Sequence, residues 1–110
     1  MGRFIKGDVV VVPFPFSDLS NSKKRPALVV ADIEGNDLIL VQITSQNNYD
    51  NYTIKVLETD FAKGSLKKTS NVRPNKIFTA DEQLILYKVG HLTGDKIKEI
   101  SSSIINIFSD

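Results

Sequence analysis

"GDVVVVPFPFSDLSNSKKRPALVV", residues 7–30, is the stretch on which the fold turns. It sets one apolar run, Val9 to Val12, against another, Ala27 to Val30, with two prolines and a polar connection between them. Short runs of β-branched residues bounded by turn formers read as strands. A proline has no N–H to give a central ladder, so Asp8 to about Pro15 is expected as an edge or bulged strand. The plainest account of the connection is a hairpin loop kept soluble by Lys23, Lys24 and Arg25.

Working outward, the same pattern recurs. "RPALVVADI" (25–33) is followed by Glu34-Gly35-Asn36-Asp37, residues tolerant of positive φ, and then by "LILVQIT" (38–44), which predicts a second hairpin. "QNNYDN" is a polar loop, "YTIKVL" a fourth strand, "TSNVRPNKIFT" a fifth and Leu84 to Leu92 a last one. Then the period changes. Ile97, Ile100, Ile104, Ile107 and Phe108 recur at helical spacing behind Thr93, a suitable N-cap, with Asp95 in the first turn where the helix dipole favours a negative charge. The expected fold is mainly β (α+β): a small β-barrel capped by a C-terminal amphipathic helix. No repeat or composition break divides the chain, so residues 1–110 are expected to form one domain.

Composition limits the chemistry. With 14 basic and 13 acidic residues the charge nearly cancels, so affinity for a polyanion has to come from clustering. The absence of cysteine excludes disulfides, thiolate metal sites and a cysteine nucleophile. Asp8 and the prolines interrupt the N-terminal apolar run before a signal or membrane segment could form, and a cytoplasmic protein with no membrane association is expected. His91, the sole histidine, sits in an apolar strand and reads as structural. It cannot build a metal site without further ligands, and no nucleotide-binding or hydrolase motif is present, so neither metal nor cofactor is expected.

An enzyme made from this inventory works with arginine, hydroxyls, amides and carboxylates. RNA cleavage by the RNA's own 2′-hydroxyl suits it, because the substrate brings its nucleophile and the protein has to orient the phosphate and stabilise its charge. Arginine provides a planar fork for two charge-assisted hydrogen bonds to phosphate. Arg25 precedes Pro26 and Arg73 precedes Pro74, and a proline biases the residue before it toward extended backbone, so both should project from strand ends. Thr44, Ser45 and Gln46 gather hydroxyls and an amide where the third strand ends. The same residue types also serve turns.

At these residues the chain resembles the MazF/PemK family of toxin endoribonucleases. "KGDVVVVPFPFSDLSNSKKRPALVV" is similar to that family's N-terminal signature, and "ITSQ" and "SNVRPNKIFT" follow in order at similar spacing, so the likeness spans nearly the whole chain. The resemblance implies a compact SH3-like barrel with a C-terminal helix, usually a homodimer. It implies a toxin of a type II toxin–antitoxin system that cuts single-stranded mRNA without metal, leaving 2′,3′-cyclic phosphate and 5′-hydroxyl ends and stopping growth. It further implies a cognate antitoxin that binds the groove.

Carried over by position, Arg25 matches the arginine that contacts the scissile phosphate and Thr44 the threonine that helps hold it. Ser45 and Gln46 match neighbours lining the same groove, and Arg73 matches a second arginine that acts with a nearby aspartate. The chain departs from the pattern there: Asn75 stands in the aspartate's place, and an amide is no general base. Asp18 in the first loop, or water beside a well-positioned phosphate, are the alternatives for accepting the proton. The loop from Ser17 to Lys24 is expected to close over RNA, with Lys23 and Lys24 drawing in its backbone and Phe14 or Phe16 stacking on a base or packing inside. Lys67 and Lys68 read as a solvated pair. Two readings of other classes stay open: a same-fold toxin that inhibits a topoisomerase by protein binding, and a catalytically weak RNA-binding member.

Overall fold

The computed structural model describes residues 3–14, 23–46 and 50–109. The apolar runs become β1 (Asp8–Phe14), β2 (Lys23–Asp32), β3 (Asp37–Thr44), β4 (Ile54–Val56), β5 (Phe61–Gly64), β6 (Ser70–Asp81) and β7 (Tyr87–Leu92). They form one antiparallel sheet in the order β4-β6-β3-β2-β1-β7-β5, and helix α1 (Gly94–Ser109) follows. The sheet curls into a half-barrel, which bears out the mainly β fold with a C-terminal helix expected from the sequence.

The prolines sit where a ladder can spare an N–H. Pro13 pairs with Lys24 of β2, beyond the last β7 partner of β1 at Val11. Pro26 pairs with Val11, one residue before the β2–β3 ladder begins at Ala27. β1 is therefore an inner strand that becomes an edge at its proline end, as the missing donor demands. In β6 the register jumps: Ile77 faces Val41, yet the next residue of β3, Gln42, faces Arg73. Pro74, Asn75 and Lys76 take up the slack in a bulge.

Both faces of the sheet are apolar, which is why its strands read as continuous runs instead of alternating ones. Val10, Val12, Ala27, Val29, Leu38 and Leu40 pack with Phe4, Phe78 and Ile85 on one side. Val9, Leu28, Val41, Ile43, Val56, Val72 and Leu92 pack on the other beneath α1, whose Ile100 is fully buried with Ile97 and Ile104 against the same cluster. The Thr93 hydroxyl accepts the Lys96 N–H at 3.3 Å, the N-cap that the sequence predicts.

Two expectations need correction, and one strand is new. Leu84 lies in a 3-10 turn, Glu82–Leu84, and not in the last strand, because the Asp81 carboxylate accepts the Gln83 N–H at 2.8 Å and starts a turn there. Phe108 is 73% exposed. With Ile105 it lines an open groove of about 360 Å³ between α1 and the sheet, not the core. β5 was not foreseen, since its residues are mostly exposed and gain their strand geometry from pairing with β7.

His91 has the structural role expected of it. It is the register partner of Asp8, and its Nδ1 lies 2.9 Å from Asp8 Oδ1. The other Asp8 oxygen accepts the Ile5 N–H at 2.9 Å. Gly7, just before, has a φ of +101°, and a Cβ there would run into Ile97 and His91. The Gly-Asp pair thus ties the start of the chain to β7 and to the helix.

Candidate functional site

Arg25 is the third residue of β2, inside the strand and not at its end as expected, because the β1 ladder continues to Lys23; Thr44 ends β3. The β2–β3 register, Ala27 opposite Gln42, extended by two residues sets Arg25 opposite Thr44. Thr44 in turn faces Asn71 of β6, and Asn71 faces Lys55 of β4. Cross-strand partners share a face of a sheet. A polar row therefore crosses four strands, and Gln42 and Arg73 form the next pair along the same face. Where these strands end, a pocket of about 180 Å³ is lined by Arg25 and Thr44 of that row, by Lys24, Pro26, Ile43, Ser45 and Ser70 at the alternate positions, and by Leu66 and Lys68.

Hydrogen bonds hold the end of β3 in place. Thr44 Oγ1 accepts the Gln46 N–H at 3.1 Å, and the Asn71 side-chain amide donates to the Gln46 carbonyl at 2.8 Å. The turn role of these residues is thus real. It leaves the Thr44 hydroxyl with its own proton to donate, since the N–H has taken a lone pair. Thr44 is nearly buried while Ser45 and Gln46 are exposed.

Arg73 stands at the bulge of β6, and its Nη2 lies 3.1 Å from Asp50 Oδ2. Asn75 Nδ2 approaches the same oxygen at 3.4 Å. The second Asp50 oxygen, Oδ1, accepts the N–H groups of Tyr52 and Thr53, each at 3.0 Å, and the Thr53 hydroxyl at 2.9 Å. Foremost the Thr53 hydroxyl, then Arg73, the Tyr52 N–H and Asn75, outweigh desolvation and lower the Asp50 carboxyl from 3.8 to about 2. Arg73 Nε is buried with no hydrogen-bond partner among the described residues. Among the described residues, no three His, Asp or Glu side chains gather as metal ligands would.

The candidate residues are thereby sorted. Lys24, Arg25, Thr44 and Ser45 come together in the pocket; Arg73 and Asn75 of β6 meet at Asp50, in the turn before β4. Gln46 enters through its backbone, and Lys23 is exposed outside the pocket lining. Asp18, Phe16 and the Phe14 side chain lie outside the described residues. Lys68, read as solvated, lines the pocket. Lys67 beside it adopts the left-handed conformation, φ 62°, with its N–H on the Ser65 hydroxyl at 2.7 Å. Asp50 and Asn71 were not foreseen. An Asp-x-x-Thr spacing at residues 50–53 is a turn signal that could have marked Asp50, but nothing local pairs it with Arg73.

Residues 5–108 match the model of the PemK-like, MazF-like toxins of type II toxin–antitoxin systems. The chain belongs to that family. Solved structures similar to it include MazF with MazE from Deinococcus radiodurans (TM-score 0.77, 14% identity, 96% of this chain and 95% of that one). An endoribonuclease of a mycobacterial species, in complex with its cognate antitoxin, superposes with a TM-score of 0.76 at 15% identity over 96% of this chain and 94% of that one. The Mycobacterium tuberculosis toxin MazF-mt6 gives 0.71 at 16% over 92% and 95%. No curated protein matches the chain. At these identities the MazF structures share its fold, while their residues are too different to assign roles.

Proposed function

We propose that this PemK/MazF-family toxin is an endoribonuclease that cuts single-stranded RNA by directing the RNA's own 2′-hydroxyl at the adjacent phosphorus. The products are a 2′,3′-cyclic phosphate and a 5′-hydroxyl. The observation that carries this reading is the convergence of Arg25 and Thr44, from two strands, on one polar pocket with Lys24, Ser45 and Lys68.

The Arg25 fork grips two phosphate oxygens and stabilises the charge that builds on them as the hydroxyl attacks. Thr44, held by the Gln46 N–H, donates its hydroxyl proton to the same phosphate. Lys24 and Lys68 draw the backbone in. Arg73 holds the chain one step along the sheet. A carboxyl at about 2 is too weak a base to take the hydroxyl proton efficiently near neutral pH, so Asp50 is not the acceptor in this scheme. Water takes the 2′-hydroxyl proton as the new P–O bond forms, and water protonates the 5′-oxygen as its bond to phosphorus breaks. Single-stranded RNA is the substrate because the attacking hydroxyl has to reach an in-line position that a stacked duplex denies it.

The mycobacterial endoribonuclease and the Deinococcus MazF are seen with antitoxins, which supports an antitoxin as this chain's partner as well. It would lay acidic and apolar side chains over Lys24, Arg25 and Lys68 and compete with RNA. We extend the reading to a homodimer acting in the cytoplasm on mRNA to stop growth. Purified protein incubated with mixed RNA in EDTA, with end-group analysis of the products, tests the chemistry. Cleavage leaving 5′-hydroxyl ends is expected. RNA that stays intact until magnesium is added sinks the mechanism, and growth arrest without cleavage favours a protein-binding toxin.

A further inference from the structure

Asp50 divides its two oxygens between two tasks. Oδ1 closes its own turn through Tyr52 and Thr53, and Oδ2 reaches across to β6, where it meets Arg73 at 3.1 Å and Asn75 at 3.4 Å. The turn alone would need the first oxygen only. Arg73 is half-buried and its Nε has no partner among the described residues, so Asp50 is the anion that fixes the orientation of its charge. An arginine without such a partner samples many rotamers; one held by a single Nη keeps the rest of its fork in a constant direction.

That direction bears on the pocket. Arg73 lies opposite Gln42 and Asn71 opposite Thr44, so Arg73 is the diagonal neighbour of Thr44 on the same face, about 7–8 Å away by sheet geometry. Long side chains reach each other's ligands over such a span. We propose that Asp50 is a positioning residue for RNA cleavage: through Oδ2 it sets the Arg73 guanidinium beside Thr44, where Arg73 holds the RNA phosphate next to the one gripped by Arg25. The assignment rests on the nuclease reading above. Asp50 itself touches no substrate; it acts through Arg73.

Asp50→Asn separates the two tasks. The amide oxygen can still accept the bonds that close the turn, while the amide NH₂ now faces the Arg73 and Asn75 donors. Cleavage should fall about ten- to a hundredfold, the scale of a displaced positioning group, while the melting temperature at neutral pH drops only by the small ionic contribution that solvent screening leaves at this exposed site. Position 75 touches the same oxygen site, so adding Asn75→Asp to Asp50→Asn returns a carboxylate to Arg73 and should restore most of the rate. In an Arg73→Gln background, Asp50→Asn should cost nothing further, because the two act as one unit.

Outcomes divide cleanly. If wild-type protein leaves RNA intact, the nuclease reading falls and takes this assignment with it. If wild-type protein cuts and Asp50→Asn cuts equally well, or if its loss adds in full to that of Arg73→Gln, Asp50 is a turn residue and the proposal is overturned while the nuclease reading stands. Should Asp50→Asn fold poorly, the Arg73→Gln variant decides alone: unchanged cleavage by it removes the group through which Asp50 is said to act.

Discussion

Asp8 and Asp50 each accept turn N–H groups and meet a nitrogen-bearing side chain of a distant strand, and they lie in contrasting surroundings. Asp8 is 2% exposed, takes the Ile5 N–H and meets His91 inside the sheet. Asp50 takes the Tyr52 and Thr53 N–H groups and meets Arg73 near the surface, with its side chain 29% exposed. The hydrogen-bonding pattern is alike; the cost of losing it is not. Removing the buried Asp8 carboxylate leaves a cavity and takes the partner of a part-buried N–H and of a histidine nitrogen, whereas at Asp50 solvent fills in and the loss falls on geometry. On the proposed reading, the fold leans on the first carboxylate and cleavage on the second.

Variants can break that division. Arg25→Ala should give the largest effect, cutting RNA cleavage by about 10²–10³-fold, as loss of a charge-stabilising donor does, with urea unfolding unchanged. Cleavage at the wild-type rate would move the site elsewhere. Asp8→Ala should do the converse, lowering stability by about 3 kcal/mol through the stranded Ile5 N–H and His91, read as a shift of the urea midpoint at constant slope. Activity per folded molecule should persist. If it vanishes with the fold intact, the two carboxylates are not separate.

Thr44→Val should sharpen the contrast, because Thr44 belongs to both sides. Losing its hydroxyl removes a donor to phosphate and the acceptor for the Gln46 N–H, so a rate loss of about tenfold and a stability loss of about 1 kcal/mol are expected together. The smallest effect concerns pH. Asp50 has its carboxyl lowered from 3.8 to about 2 in the folded chain, so between those values the unfolded chain binds more protons and stability rises with pH. The contribution is complete above pH 4 and lost as pH falls toward 2. Acid titration of Asp50→Asn should show a flatter fall over that window than wild type, and equal slopes would mean that the carboxyl is not lowered.

Much of this was legible along the chain. Strands announced themselves as valine- and leucine-rich runs, the prolines marked where ladders lose a partner, and the isoleucine spacing behind Thr93 marked the helix. Arg25 is legible from the proline that follows it, though it lies third in β2, and Thr44 from the end of its strand. What escaped depends on pairing across distance. "FAKG" at 61–64 has no apolar alternation of its own and is a strand because β7 lies beside it. Read along the chain, Leu84 and Leu86 belong to the last strand, yet they precede it and are about half exposed, since Asp81 caps a turn at that point. Asp50 and Arg73 are 23 residues apart, and their meeting requires both the β3–β6 register and the shift within it.

That shift carries a counting rule. Side chains on a strand alternate sides, so residues an even number apart share one. Ile77 and Val72 are an odd number apart, yet they face Val41 and Ile43 and pack in the same cluster beneath the helix; the three residues Pro74, Asn75 and Lys76 flip the parity between them. Were β6 to run straight from Ile77, Arg73 would share its side and point under the helix, while Val72 would turn out onto the polar row. Loss or gain of one residue in 74–76 should therefore invert the whole Ser70–Arg73 segment, whereas a change of two should leave every side chain on its present face. Length at this point is constrained modulo two, a restriction that no single substitution would expose and that any transplanted segment would have to obey.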